Sequence, residues 1–316
     1  MEIQKGEDRC DKRIEGQVVR AHSGRYHVEI DQQIVQCVLR GRLKRGVKLA
    51  DPVCIGDRVI VHLDERTGNV IEEILPRKNV LGRSRLQKRP QLMAANLDLL
   101  VIMFAVQEPK FKPRLLDRFL TIAEQAEVPP LICINKMDLK DVSDVKADMA
   151  VYEQIGYPVV YTSARTGQGL SDLRRRIESK ISALVGPSGV GKSTLLNVIQ
   201  PGLELVVAEV NAKTGKGRHT TSETRLFPLE AGGYIADTPG IRTLAFLDID
   251  IERLDQFFPE MAPFLETCRF ARCSHLHEPD CGIKAAVERG EISQARYDSY
   301  CRLRSQTPYS SGRGSR

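Results

Sequence analysis

Gly186-Pro187-Ser188-Gly189-Val190-Gly191-Lys192-Ser193-Thr194 spells G-x-x-x-x-G-K-S, a glycine-rich turn between a short apolar run (183–185) and a helix-forming run (195–199). The residue types state the chemistry. Glycines let successive backbone N–H groups line one concavity at a helix N-terminus, where the dipole favours an anion. Lys192 adds a full positive charge for the β- and γ-phosphates of a nucleotide, and the Ser193 hydroxyl is placed to ligate Mg²⁺. A strand–loop–helix of this kind belongs to a mostly parallel sheet covered by helices.

Working downstream, Asp237-Thr238-Pro239-Gly240 ends a second apolar run, 234–236. Asp237 is expected to hold the Mg²⁺ through water, and the Gly240 N–H to meet the γ-phosphate. Between the two motifs lies Gly217-Arg218-His219-Thr220-Thr221, polar and suited to a switch segment. Either Thr220 or Thr221 can complete the magnesium shell, and the sequence leaves that choice open.

Working upstream, Asn135-Lys136-Met137-Asp138 ends the apolar run 131–134. A carboxylate at Asp138 can accept both N1–H and N2–H of guanine. Adenine offers no such pair of donors, and leaving a polar group unpaired on the wrong base costs about 1–3 kcal/mol. Thr162-Ser163-Ala164 ends the run 159–162 and would offer a main-chain N–H to the guanine O6.

The order of these motifs is inverted. Nucleotide-binding domains of this type usually start with the phosphate loop and finish with the base-reading motifs. Here 135–138 and 162–164 precede 186–194, and no second Asn-Lys-x-Asp follows Gly240. Either 135–138 is a chance match or the domain is circularly permuted; both base-reading motifs lie at strand ends in their usual relative order, which favours permutation, and the ends of a domain are often close together. Permutation also moves the end of the domain to a point just after the switch segments, so the C-terminal part hangs directly on the moving elements.

Residues 97–247 read as alternating strands and helices, with helices expected at 114–125, 145–155, 170–179 and 192–199. Residues 1–75 read as a small β-barrel with strands at 17–21, 26–30, 34–39, 58–63 and 69–74. An oligonucleotide-binding (OB) barrel fits, and an SH3-like barrel remains open on the same strand count. Residues 76–96 are expected to be a basic linker, 248–304 a helical metal-binding domain and 305–316 a disordered polar tail. The fold class is thus multidomain α/β: a barrel, a permuted phosphate-loop domain and a helical C-terminal domain.

The chain has 316 residues, is 41% hydrophobic without tryptophan, and carries a net charge of +6. Residues 40–48 and 77–89 contain Arg and Lys but no acid, which suits a polyanion or, equally, a solvated loop. The N-terminus is charged, and the longest apolar run, 99–106, is too short to cross a bilayer. Export and membrane insertion are therefore not expected. Among eight cysteines, Cys268, Cys273 and Cys281 cluster around His275. Three thiolates and an imidazole make a closed tetrahedral set for one structural Zn²⁺, with His277 as a substitute ligand.

A barrel, a permuted GTPase and a Cys₃His set together resemble the bacterial small-ribosomal-subunit-dependent GTPases known as RsgA, YjeQ or YloQ. The likeness runs from about Ile14 to Tyr300. It implies an OB fold, GTP hydrolysis stimulated by the small ribosomal subunit, a role in late subunit assembly, and contacts to ribosomal RNA through the barrel and the zinc domain. The place of the water-orienting glutamine of many GTPases is held here by Ile241, which cannot hydrogen-bond. The family's switch-segment histidine is matched by His219, the expected catalytic residue. The family's third switch threonine is Ser222 here. A monomeric cytoplasmic GTPase cycling between GTP and GDP is the leading reading. An RNA-binding scaffold with structural nucleotide, or a GTPase acting on transfer or messenger RNA, are the alternatives.

Overall fold

The computed structural model describes residues 12–44, 52–64, 66–85, 88–139, 143–201, 224–237 and 247–305. They fall into two compact units: the described residues within 12–97, 224–227 and 236–237 in one, and those within 98–201, 228–235 and 247–305 in the other.

The first unit is a closed barrel of β1 (Lys12–His22), β2 (Arg25–Ile30), β3 (Gln33–Leu39), β4 (Arg58–Leu63) and β5 (Asn69–Ile74). Strand order is β1-β2-β3-β5-β4, and pairing of β1 with β4 closes the ring in the OB topology. β1 serves two neighbours: Lys12–Gln17 pairs with β4, and Gln17–His22 pairs with β2. The strand bends where it changes partner, and Gly16 stands there. A Cβ on Gly16 would lie 2.5 Å from Val28 Cγ1 and 2.8 Å from the Glu29 carbonyl, so only glycine lets the strands close. Both hairpins of β1-β2-β3 turn through two residues with positive φ, Ser23-Gly24 and Asp31-Gln32. This geometry matches the twist of antiparallel strands. Alternating inward residues, among them Val18, Tyr26, Val28, Val59, Val61 and Ile71, fill the interior.

Two arginines of the acid-free runs are consumed inside this unit. Buried Asp57 accepts from Arg77 Nε at 2.6 Å, and Glu72 pairs with Arg40 and with Arg13 Nε at 3.0 Å. α1 (Gly41–Lys44) is a single turn. The segment expected to be a linker is instead a hairpin of β6 (Val80–Arg85) and β7 (Lys88–Ala95). Asn79 clamps its base, donating to the Leu97 carbonyl at 2.8 Å and accepting from the Leu97 N–H at 2.9 Å. A bridge between Ile55 and Ala94 seats it on the barrel unit. Met93, Ala94 and Ala95 of β7 and Leu81 of β6 are buried, an apolar run that the neighbouring charges obscure in the sequence. Thr224 at the start of β12 (Thr224–Pro228) pairs with Ala21 of β1.

The second unit is built on β8 (Leu99–Ala105), β9 (Pro130–Asn135), β10 (Val159–Tyr161), β11 (Lys180–Val185) and β13 (Gly233–Asp237). The order is β10-β9-β8-β11-β13, and the first four run parallel. Every position of β8 is buried, as a central parallel strand covered on both faces requires. The covering helices are α2 (Pro113–Gln125), α3 (Ser143–Ile155), α4 (Leu170–Ile177) and α5 (Lys192–Ile199). α2 buries Leu116, Phe119, Leu120 and Ile122. Each such side chain contributes about 1.5–3 kcal/mol.

The C-terminal part belongs to the same compact unit. It runs through two 3-10 segments, Ile251–Phe257 and Pro259–Thr267, into α6 (Gly282–Glu288) and α7 (Gln294–Ser305). Pro263, inside the second segment, lacks the N–H donor that an α-helix would need there. The part does not merely hang from the switch segments, because it is bolted to α2. Arg296 of α7 is buried, reaching Asp117 Oδ1 at 2.6 Å and Glu260 Oε1 at 2.7 Å, with its guanidinium 4.5 Å from the Phe258 ring centroid. Asp117 also accepts from Tyr152 Oη of α3 at 2.7 Å and from the Ser299 hydroxyl. Gln125 adds a pair of bonds, receiving the Asp250 N–H at 2.7 Å and donating to the Asp248 carbonyl at 3.1 Å. Among the described residues, no helix is long and apolar enough to cross a membrane.

Candidate nucleotide site and metal centre

The phosphate loop leaves the buried end of β11 and re-enters as α5. Its turn is a steric necessity. Gly191 has φ +95°, and a Cβ there would lie 2.5 Å from Asn135 Nδ2. Lys192 Nζ folds across the loop mouth, donating to the carbonyls of Gly186 at 2.8 Å and Pro187 at 2.7 Å. Ser188 and Gly189 are exposed at the rim, Val190 is buried, Ser193 is half-buried and Thr194 is exposed. The buried orientation of Val190 anchors the loop from below, and the free rim leaves its N–H groups to an anion.

The base-reading motif is tied to that loop directly. Asn135, buried at the end of β9, donates from Nδ2 to the Val190 carbonyl at 2.9 Å. Its Oδ1 accepts from Thr162 Oγ1 at 3.1 Å, and Met137 N–H donates to the Thr162 carbonyl at 3.1 Å. Lys136 takes φ +63° and sends Nζ to the Glu108 carbonyl on the loop after β8. Asp138 is then held by one strong bond, Ser163 Oγ to Oδ1 at 2.6 Å. That hydroxyl keeps the Asp138 carboxyl below the usual carboxylate range, and Arg165, 3.8 Å from Oδ2, pulls the same way. Both effects favour the ionised carboxylate, which can only accept hydrogen bonds. Ser163 thus acts by positioning Asp138, and Ala164 follows it at the strand end.

Sequence order and spatial order part company here. Asn135 reaches Val190 of the 186–194 loop because β9 and β11 flank β8 in one parallel sheet, and Ser163 joins the same end of the sheet through Asp138. His219, Thr220, Thr221 and Gly240 lie outside the described residues. Asp237 closes β13, and its side chain also lies outside them. Thr162 stands in the quoted motif, but its part in bonding Asn135 and Met137 is visible only in the fold. Glu108 contributes a backbone carbonyl, which leaves no mark in a sequence.

Cys268, Cys273, His275 and Cys281 converge, with all four donor atoms within 4.8 Å of one another. Cys268 Sγ lies 4.0 Å from Cys281 Sγ, and His275 Nδ1 lies 3.5 and 3.4 Å from those sulfurs. A tetrahedral zinc with Zn–S of about 2.3 Å sets sulfurs about 3.8 Å apart, so the donor set fits that ion. His275 turns Nε2 toward Asp255 Oδ2 at 3.7 Å, a carboxylate on the side of the ring away from the sulfurs. Glu278 shapes the intervening loop by accepting from the N–H groups of Ser274 at 2.7 Å, Leu276 at 3.2 Å and His277 at 3.2 Å. His277 itself is exposed and outside the cluster.

Comparison with known proteins gives consistent matches. The profile of the RsgA GTPase domain matches residues 74–247, and that of the RsgA N-terminal domain matches 15–71. The small ribosomal subunit biogenesis GTPase RsgA of Caldanaerobacter subterraneus subsp. tengcongensis is 40% identical over 292 residues, covering 92% of this chain and 95% of that one. Its namesake from Gemmatimonas aurantiaca is 42% identical over 296 residues, covering 92% and 96%. Among solved structures, YjeQ from Thermotoga maritima superposes with a TM-score of 0.76 at 37% identity, over 92% of this chain and 97% of that chain. YloQ, described as a circularly permuted GTPase, gives 0.72 at 34% identity over 94% and 96%.

Proposed function

The chain belongs to the RsgA GTPase family, and on that footing we propose that it hydrolyses GTP during maturation of the small ribosomal subunit, with the subunit itself stimulating hydrolysis. The relatives are named for small-subunit biogenesis, which supports that partner and a cytoplasmic site of action. The observation that carries the reading is the 2.9 Å bond from Asn135 Nδ2 to the Val190 carbonyl. It joins a guanine-reading motif to a phosphate loop that the sequence places in the opposite order.

In this reading Asp138 selects guanine and the 186–191 loop with Lys192 cradles the phosphates. Ser193, Asp237 and Thr220 or Thr221 would hold Mg²⁺, which when bound neutralises charge developing between the β- and γ-phosphates. His219 would orient the attacking water, a task Ile241 cannot perform. GTP would order the switch and set the C-terminal domain for docking, and hydrolysis would relax it and release the subunit. The four-residue cluster around His275 would carry a structural Zn²⁺.

Turnover of GTP by the purified chain, with and without purified small subunits, tests the proposal. Slow turnover alone and marked stimulation by subunits are expected. An unchanged rate would sink the ribosomal partner. His219→Ala should keep GTP binding and lose the stimulated rate; a variant that turns over normally would favour a scaffold role instead.

A further inference from the structure

The loop between β8 and α2 has two differently occupied ends. At one end the Glu108 carbonyl accepts from Lys136 Nζ, and Pro109 Cδ lies 3.6 Å from where a Gly189 Cβ would stand. This end is therefore bonded to the guanine motif and lies alongside the phosphate loop. The other end carries Lys110, Lys112 and Arg114, all exposed. Among the described residues, none of these three side chains has a hydrogen bond or ion pair.

Folding does not account for them. The first turn of α2 has no acidic residue, and Lys112 at its N-cap makes no side-chain capping bond. Cations there oppose the helix dipole and repel one another. The same positive surface continues onto α7. Arg114 and exposed Arg302 line an open cleft of about 640 Å³ together with Cys301, Ser305 and Asp298. Asp298, the acid of that cleft, is engaged by Gln294 Nε2 at 2.8 Å.

We propose that Lys110, Lys112, Arg114 and Arg302 form a seat for an RNA phosphate backbone directly beside the nucleotide site. The proposal rests on the ribosomal reading above for the source of the RNA, and it adds the place where RNA meets the GTPase domain. RNA is favoured over a protein partner by what the patch lacks. Protein interfaces centre on buried aromatic or aliphatic anchors. Among the described residues, the exposed large hydrophobics are Ile34, Val38, Val198 and Phe270, and none belongs to this patch. A row of unpaired cations beside an open cleft instead suits a run of phosphates. Because Glu108 and Pro109 join the row to both nucleotide loops, phosphates held here would brace those loops while the subunit is bound.

The test compares the full-length chain with its Lys110→Gln/Lys112→Gln/Arg114→Gln variant. Unstimulated turnover and affinity for a fluorescent GDP analogue should match. Affinity for purified small subunits should fall at least tenfold at moderate salt. The slope of log affinity against log salt should become shallower by about 2–3, one counterion release per lost contact. Equal slopes overturn the seat. So does weaker binding with an unchanged slope, which would mark a protein contact. If the wild-type chain ignores small subunits, the ribosomal reading fails, and the seat is then judged on a synthetic RNA duplex, where equal slopes for the two proteins overturn it.

Discussion

On the proposed reading Asp138 selects the base, and Ser163 sets Asp138. The hydroxyl bond at 2.6 Å fixes the carboxylate and lowers its pKa. Asp138→Asn replaces one acceptor by a donor that opposes the guanine donors. Guanine nucleotides should bind roughly 10–100-fold more weakly, at about 1–3 kcal/mol per mispaired group. Xanthine nucleotides, which carry a carbonyl at C2, should gain on them. Competition against a fluorescent GDP analogue reads both effects. The sign of the pH dependence follows from the same bond. A carboxyl already below its unfolded value, about 3.9, stays ionised above it and is lost only as pH falls further. Selectivity for guanine should therefore be flat from pH 8 to 5, and a fall near pH 6 would contradict the assignment. At this scale the site was legible, because Asn135, Asp138 and Lys192 belong to motifs whose chemistry fixes residue type at fixed spacing. Glu108 was not, since any residue supplies a carbonyl.

Among the elements, α2 holds the C-terminal part through the Asp117–Arg296–Glu260 cluster, buried on all sides. Burial works against the Arg296 charge, but Glu260 and Asp117 outweigh it and hold its pKa above the usual arginine value. Removing one partner leaves a buried charge unmatched, which costs about 3–5 kcal/mol. Arg296→Ala should thus lower the unfolding midpoint of this unit in urea, and a shift near zero would show the cluster to be solvated. Asp117→Asn, which retains an acceptor, should be milder. None of this was legible from the sequence: an Asp in one helix and an Arg 179 positions later leave no pattern. The hairpin β6–β7 was missed for a different reason, as its many cations made residues 76–96 look solvated. The barrel strands were legible because alternation of period 2 is a local signal.

For the molecule as a whole, a zinc held by the proposed Cys₃His set would share with the ion cluster the work of fixing the C-terminal part. A mercurial reagent should release one zinc per chain, read with a chromogenic chelator. Cleavage by a protease should then rise within 251–305, while GDP affinity changes little, since the nucleotide loops lie on other elements. Absence of released zinc would remove the metal from the account. Permutation was legible at this scale from motif order alone, whereas the union of the GTPase and C-terminal parts in one compact unit was not.

The central place of β8 has a consequence for how the chain is made. During synthesis β8, β9 and β10 emerge first and can pair, yet the other edge of β8 must wait for β11, which is joined at Ala183↔Leu100 and Leu184↔Val101. Until the ribosome has translated that far, an entirely apolar strand presents an open edge, a liability that invites mispairing. Nascent chains stalled before residue 180 should therefore depend on chaperones, and guanine nucleotide can only begin to support the fold once translation has passed the phosphate loop.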